Sequence, residues 1–289
     1  MQSSLSNLAQ RIFDSEMKVP NLRPEVQKQI VWANRVGEQS KISIVYVHGF
    51  SATSQELRPF PDEIASALNA NLFFTRLTGH GQDSAAMGKA SLEDWNADID
   101  EALDFGRALG ENVVVIACST GAPLVLSSLA KKSCNLAACI FVSPNFGLAN
   151  RFQNWFLKLP KVRSWGPFVM GRHRSFESRS SDHKKYWTQA YGIEAVFTMM
   201  EAVQEMTKLR ISAFNFPLAI LYCPNDQVVS PQKIRSIFRR WGGSKDALSM
   251  DKGDDPSGHL LIGDIMNPKQ TKIATRFALE FCFKHLKPE

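Results

Sequence analysis

The sequence predicts an α/β architecture: a mostly parallel central sheet with helices on both faces, interrupted by one helical insertion. Three observations lead there. After residue 40, short apolar β-branched runs alternate with helix-length amphipathic stretches, the pattern of a parallel sheet covered on both sides. Residues 112–121, NVVVIACSTG, read as a buried strand running into a tight turn and a helix. With 289 residues and 44% hydrophobic content, the chain can bury one substantial core with a modest insertion, which favours one domain over two.

Taken in chain order, residues 43–50 (SIVYVHGF) have the content of a buried strand and end in His48-Gly49-Phe50. A helix is expected over 54–69, then a strand opening LFFTRLTGHG (72–81), which closes on a glycine-bracketed His80. The following GHGQDSAAMGK reads as a loop, since it has neither phosphate-loop spacing nor a Ser or Thr after Lys89. A helix over 91–109 opens with Ser91-Leu92-Glu93-Asp94, the spacing of a capping box. The strand 112–117 passes into a helix over 119–132 whose Pro123 falls in the first turn, where a missing N–H costs little. ACIFVSP (138–144) and PLAILYCPND (217–226) are the next strands, and VVSP introduces a helix over 231–241 at Pro231. ALSM (247–250) is a short strand leading into the loop DKGDDPSGH, and an amphipathic helix closes the chain over 268–286.

The strand–turn–helix at Ser119 is the context a nucleophilic serine requires. Ala117 and Gly121, two positions to either side, are small, as a sharp turn demands. By itself this pattern is loose, because a serine after a strand also serves as a helix N-cap. A Ser-acid-His site on such a sheet needs its partners in that order at strand ends. Asp226 after PLAILYCPN and His259 after DKGDDPSG satisfy that order. Asp226 also suits a plain Asn-Asp turn, and Asp254 and Asp255 compete with it by lying near His259; a carboxylate on a separate strand end orients the ring better. The HGF segment would lie beside the elbow, making the Phe50 and Thr120 N–H groups candidates for an oxyanion hole. His48 and His80 suit loop bracing better than acid–base work, His173 and His183 sit among basic residues without ligand spacing, and His285 reads as a surface cation near the end of the C-terminal helix. No H-E-x-x-H and no paired C-x-x-C occurs, so neither a metal nor a cofactor is expected.

Through HGF, GHG, A-C-S-T-G, N-D-Q-V-V-S-P and S-G-H in that order, most of residues 40–289 resembles the α/β-hydrolase superfamily. Within it the chain is most similar to monoacylglycerol lipases, bacterial carboxylesterases and lysophospholipase-like or serine-aminopeptidase-like hydrolases. The resemblance implies an α/β-hydrolase fold, with Ser119 as nucleophile, His259 as general base and then acid, and Asp226 orienting His259. It departs from the usual pattern at Ala117, where many members carry glycine.

Residues 149–216 are too long for a loop and are expected to carry helices of their own, and the resemblance implies that they form a helical cap inserted into a core made of 1–148 and 217–289. This segment holds 11 Lys and Arg against 5 acids, an excess equal to the net charge of the whole chain, +6. It also holds 12 of the 29 aromatic residues, including Trp155, Trp165 and Trp187, with Met170, Met199, Met200 and Met206. These side chains suit an acyl-chain pocket with cations facing anionic head groups, and equally a mini-core with a solvated charged face.

The leading function is therefore a serine hydrolase for a lipid-like or small carboxylic ester. An amidase, peptidase or thioesterase on the same site, or a silent small-molecule receptor, are the alternatives. Nucleic acid is not an expected partner: the pI near 9.1 is basic, but no recognised binding motif accompanies it. Five cysteines, three of them (Cys118, Cys139, Cys223) in expected buried strands, suit a reducing compartment. The first 30 residues lack a signal-peptide pattern, so the expected address is cytoplasmic.

Overall fold

A computed structural model describes residues 2–131, 136–157 and 159–286, with side chains from residue 5 onward. Lys132 at the end of an expected helix, Cys134, the cation Lys158 and residues 287–289 of the expected core lie outside the described residues.

The elements run α1 (Gln2–Glu16), β1 (Gln29–Val31), β2 (Ser40–Val47), α2 (Phe60–Ala67), β3 (Asn71–Phe74), α3 (Ser84–Lys89), α4 (Leu92–Leu109), β4 (Gly110–Cys118), α5 (Gly121–Lys131) and β5 (Leu136–Val142). They continue with α6 (Arg151–Phe156), α7 (Val162–Met170), β6 (His173–Ser175), α8 (Ser181–Tyr186), β7 (Ala190–Gly192), α9 (Ile193–Thr207), a 3₁₀ turn (Ile211–Ala213), β8 (Leu218–Tyr222), α10 (Pro231–Arg240), β9 (Lys245–Ser249) and α11 (Pro268–His285). Seven strands form one sheet in the order β1-β3-β2-β4-β5-β8-β9, parallel throughout except for β1, which runs antiparallel to β3 at the edge. This is the α/β-hydrolase fold.

Alternate residues of each central strand feed two cores. Val45, Val47, Val113, Val115, Ala117 and Phe141 face α4, α5, α9 and α10, whereas Ile44, Tyr46, Val114, Ile116, Ile140 and Val142 face α2 and α11. Burial on both faces explains why the strands read as continuous apolar runs and not as an alternating pattern. The capping box of α4 forms as its spacing predicts, Ser91 and Asp94 exchanging side-chain and backbone bonds.

Two expectations need correction. The 54–69 helix begins only at Phe60: residues ahead of Pro59 turn instead, because proline disfavours a helical conformation in the residue before it. The GHGQDSAAMGK stretch is not all loop, since Asp83 caps α3 by accepting the Ala86 N–H at 2.9 Å.

Between β5 and β8 the chain forms α6 to α9 and a two-stranded ribbon, β6–β7. Ile193, Phe197, Met200 and Met206 of α9 join the main core, so part of this segment's apolar content is structural. Residues near the N-terminus tie it down. Arg23 donates to the carbonyl oxygens of Lys185 and Trp187, and Glu25 pairs with Lys185 and Tyr186. The α1 helix, which the sequence reading leaves unassigned, docks through Ile12 and through Glu16, whose carboxylate takes a buried two-point bond from Arg76 at 2.7 and 2.8 Å. Among the described residues, no helix is long and apolar enough to cross a membrane.

Candidate active site

Ser119 stands between β4 and α5 with φ of 47°, the left-handed region in which a side chain is strained and projects from the turn. Gly121 permits that turn. A Cβ there would lie 2.8 Å from the Val47 carbonyl oxygen and 3.0 Å from that of His48, contacts no side chain could keep. Ala117, despite its departure from the usual glycine, packs fully buried opposite Val47 and Phe141.

His259 Nε2 lies 3.0 Å from Ser119 Oγ, and His259 Nδ1 lies 2.9 Å from Asp226 Oδ2. The arrangement that gives each atom a partner has Nδ1–H donating to Asp226 and Nε2 accepting the Ser119 hydroxyl proton. The other Asp226 oxygen accepts the Val228 and Val229 N–H groups at 2.7 and 2.9 Å. Asp226 is therefore a turn residue and a histidine partner at once, one oxygen for each task. Burial would lower the His259 pKa, but the Asp226 carboxylate, with Glu56 and Asp255 further off, outweighs it and raises the pKa above the ordinary imidazole value.

Phe50 and Thr120 line the same cavity as Ser119 and His259. The HGF turn that carries Phe50 is fixed by Glu56, which the sequence reading did not single out, and by His48 and His80, which it expected as loop braces. Glu56, buried beneath it, accepts the Gly49 N–H at 2.8 Å, and burial raises its pKa. His48 donates from Nδ1 to the Gly49 carbonyl at 2.9 Å and accepts the Leu77 N–H on Nε2 at 3.1 Å. Its pKa falls to about 4, chiefly through burial. His80 packs beside it at 4.9 Å between ring centres and lies edge-on to Phe50. At the end of β5, Ser143 donates to the His259 carbonyl at 2.6 Å, and the Asn145 N–H donates to that of Ser119 at 2.9 Å.

Asp254 and Asp255 do not face the His259 ring. Asp254 is exposed and pairs with Lys269, whereas Asp255 is fully buried and accepts backbone N–H groups of its own loop. His183, which the sequence marks only as a histidine among basic residues, is buried, stacks on Phe176 and lines the cavity. The cavity encloses about 340 Å³, with Phe50, Leu148, Tyr191, Met199 and Val228 among its apolar lining and Arg179, Glu177 and Asp255 among its charged residues.

Against known proteins, residues 38–253 match the family model described as serine aminopeptidase, S33, a span that includes Ser119 and Asp226 and stops short of His259. A thermostable monoacylglycerol lipase from Bacillus sp. (strain H-257) is 28% identical over 206 residues, covering 70% of this chain and 77% of that one. One of the metagenome-derived lipolytic enzymes LipS and LipT superposes with a TM-score of 0.73 at 18% identity, over 91% of this chain and all of that one (100%). A soluble variant of monoglyceride lipase from Saccharomyces cerevisiae, solved with a substrate analogue, gives 0.66 at 12% identity over 91% and 92% of the two chains. With its fold, its ordered motifs and a family match over most of its length, the chain belongs to the S33 serine aminopeptidase family of α/β-hydrolases.

Proposed function

We propose that this chain is a serine hydrolase of lipid-like carboxylic esters that works through an acyl-enzyme. The observation that carries this reading is the chain of contacts Ser119–His259–Asp226, at 3.0 and 2.9 Å, on a left-handed elbow. Ser119 Oγ attacks the ester carbonyl carbon as His259 Nε2 takes its proton, and the Phe50 and Thr120 N–H groups hold the oxyanion. Collapse of that adduct breaks the bond to the alcohol, which leaves with the proton from His259. Water then repeats the sequence on the acyl-enzyme, releasing the acid and restoring Ser119. Asp226 keeps the Nδ1–H tautomer of His259 and stabilises the imidazolium.

In this reading residues 149–216 are the cap over a core of 1–148 and 217–289, and the apolar cavity wall receives the acyl chain. Exposed Phe152, Trp155, Phe168 and Val169 on α6 and α7, next to exposed Arg172 and Arg174, give the cap a face suited to an anionic lipid surface. The names of the relatives support an ester of this kind. Purified protein assayed on monoacylglycerols and nitrophenyl esters of graded acyl length, beside matched amides and thioesters, should turn over the esters fastest. A faster amide would move the assignment to the peptidase activity that the family description names.

A further inference from the structure

The loop that delivers His259 has no helix or strand of its own, so its shape depends on side chains. Asp255 supplies most of it. Its carboxylate accepts the N–H groups of Ser257, His259 and Leu260 at 3.0, 3.0 and 2.8 Å, and the Ser257 hydroxyl at 2.6 Å. With the Ser143 bond to the His259 carbonyl, the histidine is gripped on both sides of its backbone.

An ionised carboxylate whose side chain is only 1% exposed needs a counter-charge. Burial opposes its ionisation, yet the bonds from Ser257, Leu260 and Arg179 hold its pKa at about 2. The cation comes from elsewhere in the chain: Arg179 Nη1 lies 2.5 Å from Asp255 Oδ1. Arg179 belongs to the segment between β5 and β8, and its backbone N–H donates to His183 Nδ1 at 3.2 Å. His183 sits on α8, which Arg23 and Glu25 hold against the rest of the molecule, and the Thr188 N–H donates to the Ser51 carbonyl at 2.8 Å. Arg179 thus reports where that segment is seated, and Asp255 passes this to the histidine.

We infer that Asp255 is a positioning residue for His259 and that Arg179 completes it from the inserted segment, so a competent histidine requires that segment to be docked. The inference rests on the Ser119–His259–Asp226 reading, and its test separates the two. In Arg179→Gln, both kcat on a short neutral ester and the rate of fluorophosphonate labelling of Ser119 should fall about 10- to 100-fold, with KM within about threefold. Arg179→Lys, which restores the charge, should recover most of the loss. Because Arg179 acts through Asp255, the Arg179→Gln/Asp255→Asn double variant should be no slower than Asp255→Asn alone.

The pH profile provides a readout that mere destabilisation would not move. Removing the Asp255 charge takes a negative group from near His259, so the acidic limb of kcat/KM should shift to lower pH in Asp255→Asn. Removing the Arg179 charge should shift it to higher pH. Parent-like rates and an unmoved limb in Arg179→Gln, or losses that simply multiply in the double variant, would overturn the coupling while parent labelling at Ser119 left the triad reading intact. Absence of labelling at Ser119 in the parent would instead remove the reading beneath it.

Discussion

Acid should loosen this protein from beneath its active site, and His48 is where the effect can be measured. The imidazole is fully buried, with Nδ1–H donating to the Gly49 carbonyl and Nε2 accepting from Leu77. Burial disfavours the charged ring, and protonation would also put a second donor against the Leu77 N–H, so the folded protein holds His48 neutral down to about pH 4, against an ordinary value of 6.5. The unfolded chain therefore binds a proton that the native state refuses, and stability is lost as pH falls from 6.5 towards 4. At about 1.4 kcal/mol per pH unit, that interval amounts to roughly 3 kcal/mol. Substituting His48→Asn leaves the Leu77 N–H without its acceptor and should cost about 1–3 kcal/mol at pH 7. It also removes the proton-binding difference, so urea unfolding at steps from pH 7 to pH 4 should show the parent losing roughly 3 kcal/mol more than the variant, which closes or reverses the gap between them. A gap that stays constant with pH would show that His48 is not held neutral by its surroundings.

Two further outcomes follow from the site. Asp226→Asn should retain the fold but lower kcat by order of 10⁴-fold, since an amide in place of Oδ2 no longer selects the Nδ1–H tautomer of His259; circular dichroism together with ester kinetics checks both halves. For the exposed cations, kcat/KM on an anionic or vesicle-dispersed ester should fall as salt rises past the point where the Debye length is about 10 Å, while a neutral short ester responds little. Neutralising Arg172 and Arg174 should flatten that difference. Arg179 does not belong in that pair, because its charge is committed to Asp255.

The order of the motifs was legible because each sits where a strand ends, and buried strands write themselves as apolar runs. Ser119, Asp226 and His259 occur in that sequence order and meet in space. What could not be read is which of two adjacent carboxylates turns inward. Asp254 and Asp255 are indistinguishable as letters, and only packing leaves one on the surface with Lys269 and the other buried in the histidine loop. Glu56 was similarly hidden. It falls inside the expected 54–69 helix as one more acid, and only the fold shows that it turns inward to accept the Gly49 N–H.

The measurement that tests the central claim most directly is intact-protein mass spectrometry after exposure to a fluorophosphonate, with the modified peptide sequenced. The triad account predicts one adduct per chain, on Ser119, and no adduct and no ester turnover in Ser119→Ala. An adduct on a different serine, or turnover that survives Ser119→Ala, would contradict it.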